Sequence, residues 1–242
     1  MNDKLSQIEM ISLEELVPLN HIYRKFEALW DFSLIKKEVE RIEIDSDHKG
    51  FGIFRLFLSL LLQFTEDLSD RELERYLSEN NAAKWFCSFG LVEKTPNYRV
   101  FTNARKRIGT KRLSKIFNIL RAQLKEQGCM SEVFTFIDAS HLISKASLWE
   151  ERDKAIAAKY DKLNNEVLPK IARDKEANFG CKGGSKFWYG FKKHTSVDMQ
   201  SGMINKVAIT QASVIDSKGM KHVTPSQGAV YADKGYCDKN AK

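Results

Sequence analysis

Two aspartates, each directly after a short apolar segment, are the residues of this sequence best placed to do chemistry. Asp138 follows residues 133–137, and Asp233 follows residues 229–232. A hairpin and a helical crossover are predicted between the two segments, which makes them parallel neighbouring strands that end side by side. Two adjacent carboxylates repel each other unless a cation lies between them, and Mg²⁺ prefers oxygen ligands. The pattern predicts a magnesium site of the kind that uses two metal ions in phosphodiester chemistry; the alternative is that each Asp is only a turn former or a helix cap.

A strongly basic segment, residues 99–125, is the second candidate feature. It contains nine Lys or Arg residues and no acidic residue, whereas residues 1–50 contain seven basic and eleven acidic residues and the whole chain has a net charge of +7. Two helices broken near Gly109 are predicted here. Such a segment favours a polyanion such as DNA as its partner, with a solvated helix face as the alternative. The expected phosphate contacts are Arg105, Lys106, Arg107, Lys111 and Arg112, together with Lys192 and Lys193 further along the chain.

The hydrophobic pattern up to about residue 127 is helical. Apolar residues recur at three- and four-residue spacing, which predicts four or five helices, one of them buried within the apolar run 51–64. Two helix starts carry the pattern of a capping box, Ser12 with Glu15 and Ser69 with Glu72. We therefore expect an all-α domain at residues 1–127.

Beyond residue 128 the pattern changes to short β-rich runs. The predicted elements are, in chain order, a strand at 133–137, a helical insertion at about 145–177, a flexible loop at 180–184, a hairpin at 187–209, a short helix that Asp216 could cap and a strand at 229–232. We therefore expect an α/β domain at residues 128–242, and an α+β protein overall.

Seven segments carry a resemblance to a known family. Those of the second region are FIDASHL (136–142), KFWYGFKKHTSVD (186–198), ITQASVIDSKG (209–219) and VYADKGYCDK (230–239). Those of the first region are LSDRELERYLSEN (68–80), KWFCSFGL (84–91) and TPNYRVFTNARKRIG (95–109). Together they resemble the DDE transposases of bacterial insertion sequences, in the group named after insertion sequence five.

The resemblance implies an RNase H-like catalytic domain in which three acidic residues hold two Mg²⁺ ions. Asp138 matches the first acid and Asp233 the second, while the third, a Glu, follows on a helix well downstream. Only nine residues follow Asp233, so we expect a C-terminally truncated chain with an incomplete catalytic domain. The implied activity is DNA strand cleavage and transfer at insertion-sequence ends. The alternatives are a non-catalytic DNA-binding product that inhibits the full-length transposase and a nuclease of the same fold.

The same resemblance gives the expected partners, namely double-stranded DNA of the element ends and the target, and a second copy or a full-length transposase. No secretory signal or membrane-spanning segment is visible, and the four cysteines form no CxxC pair. We therefore expect free thiols in a reducing cytoplasm and no membrane partner.

Two histidines and an aromatic run lie in the segments that carry the resemblance. A lone histidine is more often a surface or hydrogen-bonded residue, so His141 and His194 are expected to be of that kind, with orientation of water or DNA as the alternative. The aromatic residues within 187–191 are expected to be core, with stacking on DNA bases as the alternative.

Overall fold

The computed structural model of the protein describes residues 10–41, 50–144, 169–170, 172–182 and 186–236. The chain divides into two compact units, Met1–Gln123 and Leu124–Lys242. The described residues contain helices throughout the first unit and a five-stranded sheet in the second. The expectation of mixed α and β structure is therefore confirmed.

Helices account for all the regular structure described in the first unit. In chain order they are α1 (Leu13–Leu16), α2 (Ile22–Ala28), α3 (Phe32–Glu40), α4 (Ile53–Thr65), α5 (Asp70–Glu79), α6 (Asn81–Phe86) and α7 (Tyr98–Glu126), of which the last ends just past the boundary. The predicted number of four or five helices is too low. Helices α1 and α6, with four and six residues, are too short to show the helical period that such a prediction relies on.

Local signals in the sequence correctly mark several of these helices. Both predicted capping boxes are present, Ser12 with Glu15 and Ser69 with Glu72. Helix α4 is the buried helix predicted within the apolar run, and seven of its thirteen residues are buried. Helix α7 is broken at Gly109, whose φ of 68° and ψ of 163° are not helical. The basic segment is therefore two helical pieces, as the sequence predicts.

The second unit is built on a sheet whose central strand is unusually long. The strands are β1 (Phe134–Ile143), β2 (Asn178–Lys182), β3 (Lys186–Asp198), β4 (Ile204–Gln211) and β5 (Ala229–Ala232), with helix α8 (Asp216–Val223) before β5 and a 3-10 turn, Lys234–Tyr236, after it. Strand β1 pairs with one edge of β3, while β2 and then β4 pair with its other edge. All these pairs are antiparallel. Strand β5 is parallel to β1 and forms an edge of the described sheet.

Three predictions for this region need correction. Strand β1 does not end at Asp138 but continues to Ile143, because β3 pairs with it along that whole length. The loop predicted at 180–184 is strand as far as Lys182, because the edge of β3 is available to β2 there. Most of the helical insertion predicted at about 145–177 lies outside the described residues; residues 169–170 are helical, whereas residues 172–177 contain no helix. The hairpin of β3 and β4 is confirmed.

Gly190 lies where β3 changes its partner on one edge from β2 to β4. It pairs with Ile143 on one side and with Asn178 on the other. A β-carbon at this position would stand 2.0 Å from the backbone carbonyl oxygen of Leu142. Because a backbone oxygen in a paired strand has little freedom to move, only glycine fits at this crossing.

Gly190→Ala is therefore expected to destabilise the protein by at least about 2 kcal/mol, through overpacking against the backbone. Gly202→Ala is the matched control, since Gly202 has a left-handed φ of 71° but open space around its α-carbon. The control should cost only about 1 kcal/mol, for the left-handed conformation. Urea unfolding of both variants measures the difference, and equal losses of stability would contradict the steric argument.

Candidate functional site

The parallel pairing of β1 and β5 brings the two predicted aspartates to adjacent positions. Ile137 of β1 pairs with Ala232 of β5, so Asp138 and Asp233 are the next residues along the same two strands. Strand β5 ends there, whereas β1 continues with Asp138 opposite Thr195 of β3. The predicted juxtaposition at the end of β5 is confirmed.

Both aspartates line one cavity of about 250 Å³ in the second unit. Their side chains are exposed rather than buried. The remaining lining residues are Ala139, Ser140, His141, Cys181, Lys182, Trp188, Lys192, Asp216 and Gly235. The cavity lining thus contains three carboxylates, two lysines and one histidine.

A short turn fixes the second aspartate. Gly235 N–H donates to Asp233 Oδ1 at 2.9 Å, and Tyr236 N–H donates to the Asp233 carbonyl oxygen at 3.1 Å. The Tyr236 ring is buried against Ile137 and Val223. Burial, and then the nearby carboxylates of Asp216, Asp138 and Asp233, raise the pKa of Tyr236. A neutral, buried Tyr236 therefore anchors the turn that orients the Asp233 carboxylate.

His194 contacts this turn through Tyr236. It is fully buried, with Nδ1 3.3 Å from Tyr236 Oη and Nε2 2.9 Å from Thr210 Oγ1. Burial lowers the pKa of His194, although the Asp216 carboxylate acts in the opposite direction. The expected hydrogen-bonded role is confirmed for this histidine.

His141 and the aromatic run differ in exposure. His141 is exposed and lines the cavity, with its ring centroid 4.0 Å from that of Trp188. Trp188 and Tyr189 are buried, as expected for core residues, and Phe191 is partly buried. The structure thus places His141 where it could contact a ligand and leaves the aromatic run little surface for stacking.

The two lysines of β3 have different surroundings. Lys192 Nζ donates to Asp216 Oδ1 at 2.9 Å and to the Val214 carbonyl oxygen at 2.8 Å, whereas Lys193 is exposed. Asp216, the first residue of α8, was not among the predicted site residues. The sequence predicts Asp216 only as a possible helix cap, within the segment ITQASVIDSKG. That prediction is wrong, because the N-cap of α8 is Ile215, without a side-chain hydrogen bond, and Asp216 is the first residue of the helix.

The predicted phosphate-binding residues of α7 fall into three groups. Arg105 forms an ion pair with Asp70 and donates to Gln63 Oε1 at 3.2 Å, so its guanidinium is held within the first unit. Lys106 and Lys111 are exposed, and they form no ion pair with any residue described. Arg107 and Arg112 are partly buried.

Acidic residues outside the basic segment supply counter-charges to it. Lys115 Nζ lies 3.1 Å from Glu38 Oε1 in the first unit, and Lys125 Nζ lies 2.7 Å from Glu132 Oε2 in the second. The count of nine cations therefore overstates the positive field of this segment. Arg107 interacts with another residue of the chain, so Lys106, Lys111 and Arg112 are the residues of α7 best placed to contact phosphates.

Arg105→Ala and Lys106→Ala should consequently have opposite signatures. We expect Arg105→Ala to lower the free energy of unfolding by about 0.5–1 kcal/mol, because it removes a partly exposed ion pair. The salt dependence of DNA binding should change little. Lys106→Ala should leave stability unchanged and reduce the salt slope by about one. Chemical denaturation and fluorescence anisotropy with a DNA duplex measure the two effects; a reduced salt slope in Arg105→Ala would contradict the assignment.

Separate parts of the sequence match two known families. A family described as transposase domain (DUF772) matches residues 11–107, and one described as transposase DDE domain matches residues 152–242. Two families of transposase domains thus match separate parts of the chain. The DDE domain match contains Asp216 and Asp233, whereas Asp138 and strand β1 lie between the two matches. No curated protein and no solved structure matches the sequence.

Two further observations concern metals and membranes. Among the residues that the structure describes, no three His, Cys, Asp or Glu side chains are grouped so that they could hold a metal ion together. Within the same residues, every helix is too short or too polar to cross a bilayer.

Proposed function

We propose that this transposase chain cleaves and transfers DNA strands at the ends of an insertion sequence of the group named after insertion sequence five, on an RNase H-like catalytic fold. The observation that carries the proposal is the placement of Asp138 and Asp233 at adjacent positions of parallel strands β1 and β5. The match to a DDE domain supports it. We also propose a cytoplasmic location.

The two carboxylates fit part of the ligand set of a divalent cation. Their oxygens are hard donors, both side chains are exposed, and both line the same cavity. The cation we propose is Mg²⁺, which when bound would supply Lewis acidity to the phosphodiester. Asp138 and Asp233 have the role of ligands and neither donates nor accepts a proton in the reaction. Gly235 N–H holds Asp233 Oδ1 and leaves Oδ2 for a ligand.

In the proposed reaction, water hydrolyses one phosphodiester at the element end and leaves a 3′ hydroxyl. That hydroxyl then attacks a phosphodiester of the target, so that one P–O bond forms for each that breaks. Lys106, Lys111 and Arg112 hold the double-stranded DNA through its phosphates. A second copy of the chain, or a longer transposase, is the proposed protein partner.

We further propose that the third carboxylate of the site lies outside the residues that the structure describes. The resemblance implies a Glu on a helix after the second aspartate, and the described residues hold no metal-binding group of three side chains. The second candidate function is a non-catalytic protein that binds element ends through the exposed Lys106 and Lys111 and inhibits an active transposase.

A cleavage assay distinguishes the two functions. The substrate is a duplex carrying the inverted repeats that flank the reading frame, with and without Mg²⁺. We expect little cleavage by the 242-residue chain and clear cleavage when the sequence encoded downstream is added. Cleavage by the 242-residue chain that is lost in Asp138→Ala would place a third ligand within it. Binding without cleavage by both proteins would favour the inhibitor.

A further inference from the structure

Lys192 is the least exposed cation of the cavity. Its side chain is 12% exposed, and its ammonium group donates to Asp216 and to the Val214 carbonyl oxygen. Nζ also lies 5.9 Å from the centroid of the Trp188 ring, at the outer limit of a cation–π interaction. An ammonium group has three N–H donors, and two of them have acceptors among the described residues. The charge is thus fixed in place with one donor still available.

Asp216 links this cation to the proposed metal ligands. Asp216 is the first residue of α8, so the positive end of the helix dipole stabilises its carboxylate. A β-carbon at Gly235 would stand 3.0 Å from Asp233 Oδ1 and 3.5 Å from Asp216 Oδ2. One carboxylate oxygen of Asp216 therefore accepts a hydrogen bond from Lys192, and the other lies on the side that faces Asp233. Positive and negative groups alternate along this wall of the cavity.

We propose that Lys192 is a positioning residue that supplies an internal positive charge to the acidic cavity, with Asp216 as its anchor. The inference rests on the proposed function, because it takes Asp138 and Asp233 to be cation ligands. In the cation-free protein the Lys192 charge offsets the repulsion among the three carboxylates. When a divalent cation enters, the Lys192 ammonium group competes with it for the negative charge of the carboxylates. The Lys192–Asp216 pair thereby sets the cation affinity of the site.

Removal of the Lys192 charge should consequently tighten cation binding. Damage to the structure would have the opposite effect, so the direction of the change identifies its cause. We expect Lys192→Met, which keeps an unbranched apolar side chain, to bind Mn²⁺ about tenfold more tightly than the wild type. The double variant Lys192→Met/Asp216→Asn removes both charges and should return to within about threefold of the wild-type affinity. Titration of free Mn²⁺ by electron paramagnetic resonance measures these affinities, and thermal melting without cation checks that each variant is folded.

The outcomes separate this inference from the proposed function. Unchanged or weaker Mn²⁺ binding by Lys192→Met would overturn the inference, provided that Asp233→Asn weakens binding to the wild-type chain. If Asp233→Asn has no effect, the cavity is not the cation site and both proposals fail. If Lys192→Met does not fold, Lys192→Gln is measured in its place with the same expectation.

Discussion

Asp233→Asn is expected to weaken Mn²⁺ binding at least about tenfold, and Asp138→Asn to do the same. Each substitution replaces a charged oxygen ligand with a neutral amide, and cation affinity depends strongly on the number of charged ligands. Both side chains are exposed, so neither replacement should disturb packing. A longer chain that cleaves DNA should lose its activity by about 100-fold or more with either substitution.

Asp174→Asn is the matched control for these two variants. Asp174 is an exposed carboxylate of the same unit, it accepts a hydrogen bond from Ser144 at 2.8 Å, and it does not line the cavity. Its replacement removes one charge without removing a proposed ligand. An equal loss of Mn²⁺ affinity in the control would show that the cation responds only to net charge.

The second large effect is expected on DNA binding. Lys106→Ala/Lys111→Ala/Arg112→Ala should reduce the salt slope of duplex binding by about three and weaken binding by about two orders of magnitude at 0.1 M salt. The reason is the loss of three phosphate contacts, each of which releases a counterion from DNA. Fluorescence anisotropy at several salt concentrations gives both quantities.

A triple variant with the same change in charge provides the control. Lys25, Lys36 and Lys37 lie on α2 and α3, in a region rich in acids. Their replacement by Ala should change the affinity and the salt slope much less. Equal losses in the two triple variants would mean that DNA responds to the total charge of the chain and not to a surface on α7.

The placement of Asp138 and Asp233 could be predicted because it depends on two local patterns and one general rule. Each aspartate follows a short apolar run, and a strand that returns after a crossover usually lies parallel to the first. The length of β1 could not be predicted in this way. Residues 139–143 have little apolar alternation, and they are strand because β3 pairs with them.

Asp216 and Gly190 show what a single sequence leaves undetermined. The role of Asp216 depends on Lys192, which is 24 residues away and reaches it only when α8 packs beside β3. Gly190 is required by the backbone of β1, a contact over nearly 50 residues of sequence. Arg105 is similar, because its partner Asp70 lies on another helix. Long-range pairing decides all three, whereas capping boxes and helix breaks are decided locally.

The central claim is that Asp138 and Asp233 form a divalent-cation site at the end of β5. Paramagnetic broadening of backbone amide NMR signals by substoichiometric Mn²⁺ tests it most directly, because broadening falls steeply with distance and is visible even for weak binding. The account predicts that the amides of Asp138, Asp233 and Gly235 broaden first, and that this selectivity disappears in Asp138→Asn/Asp233→Asn. Broadening centred on another group of carboxylates, or unchanged in the double variant, would contradict the account.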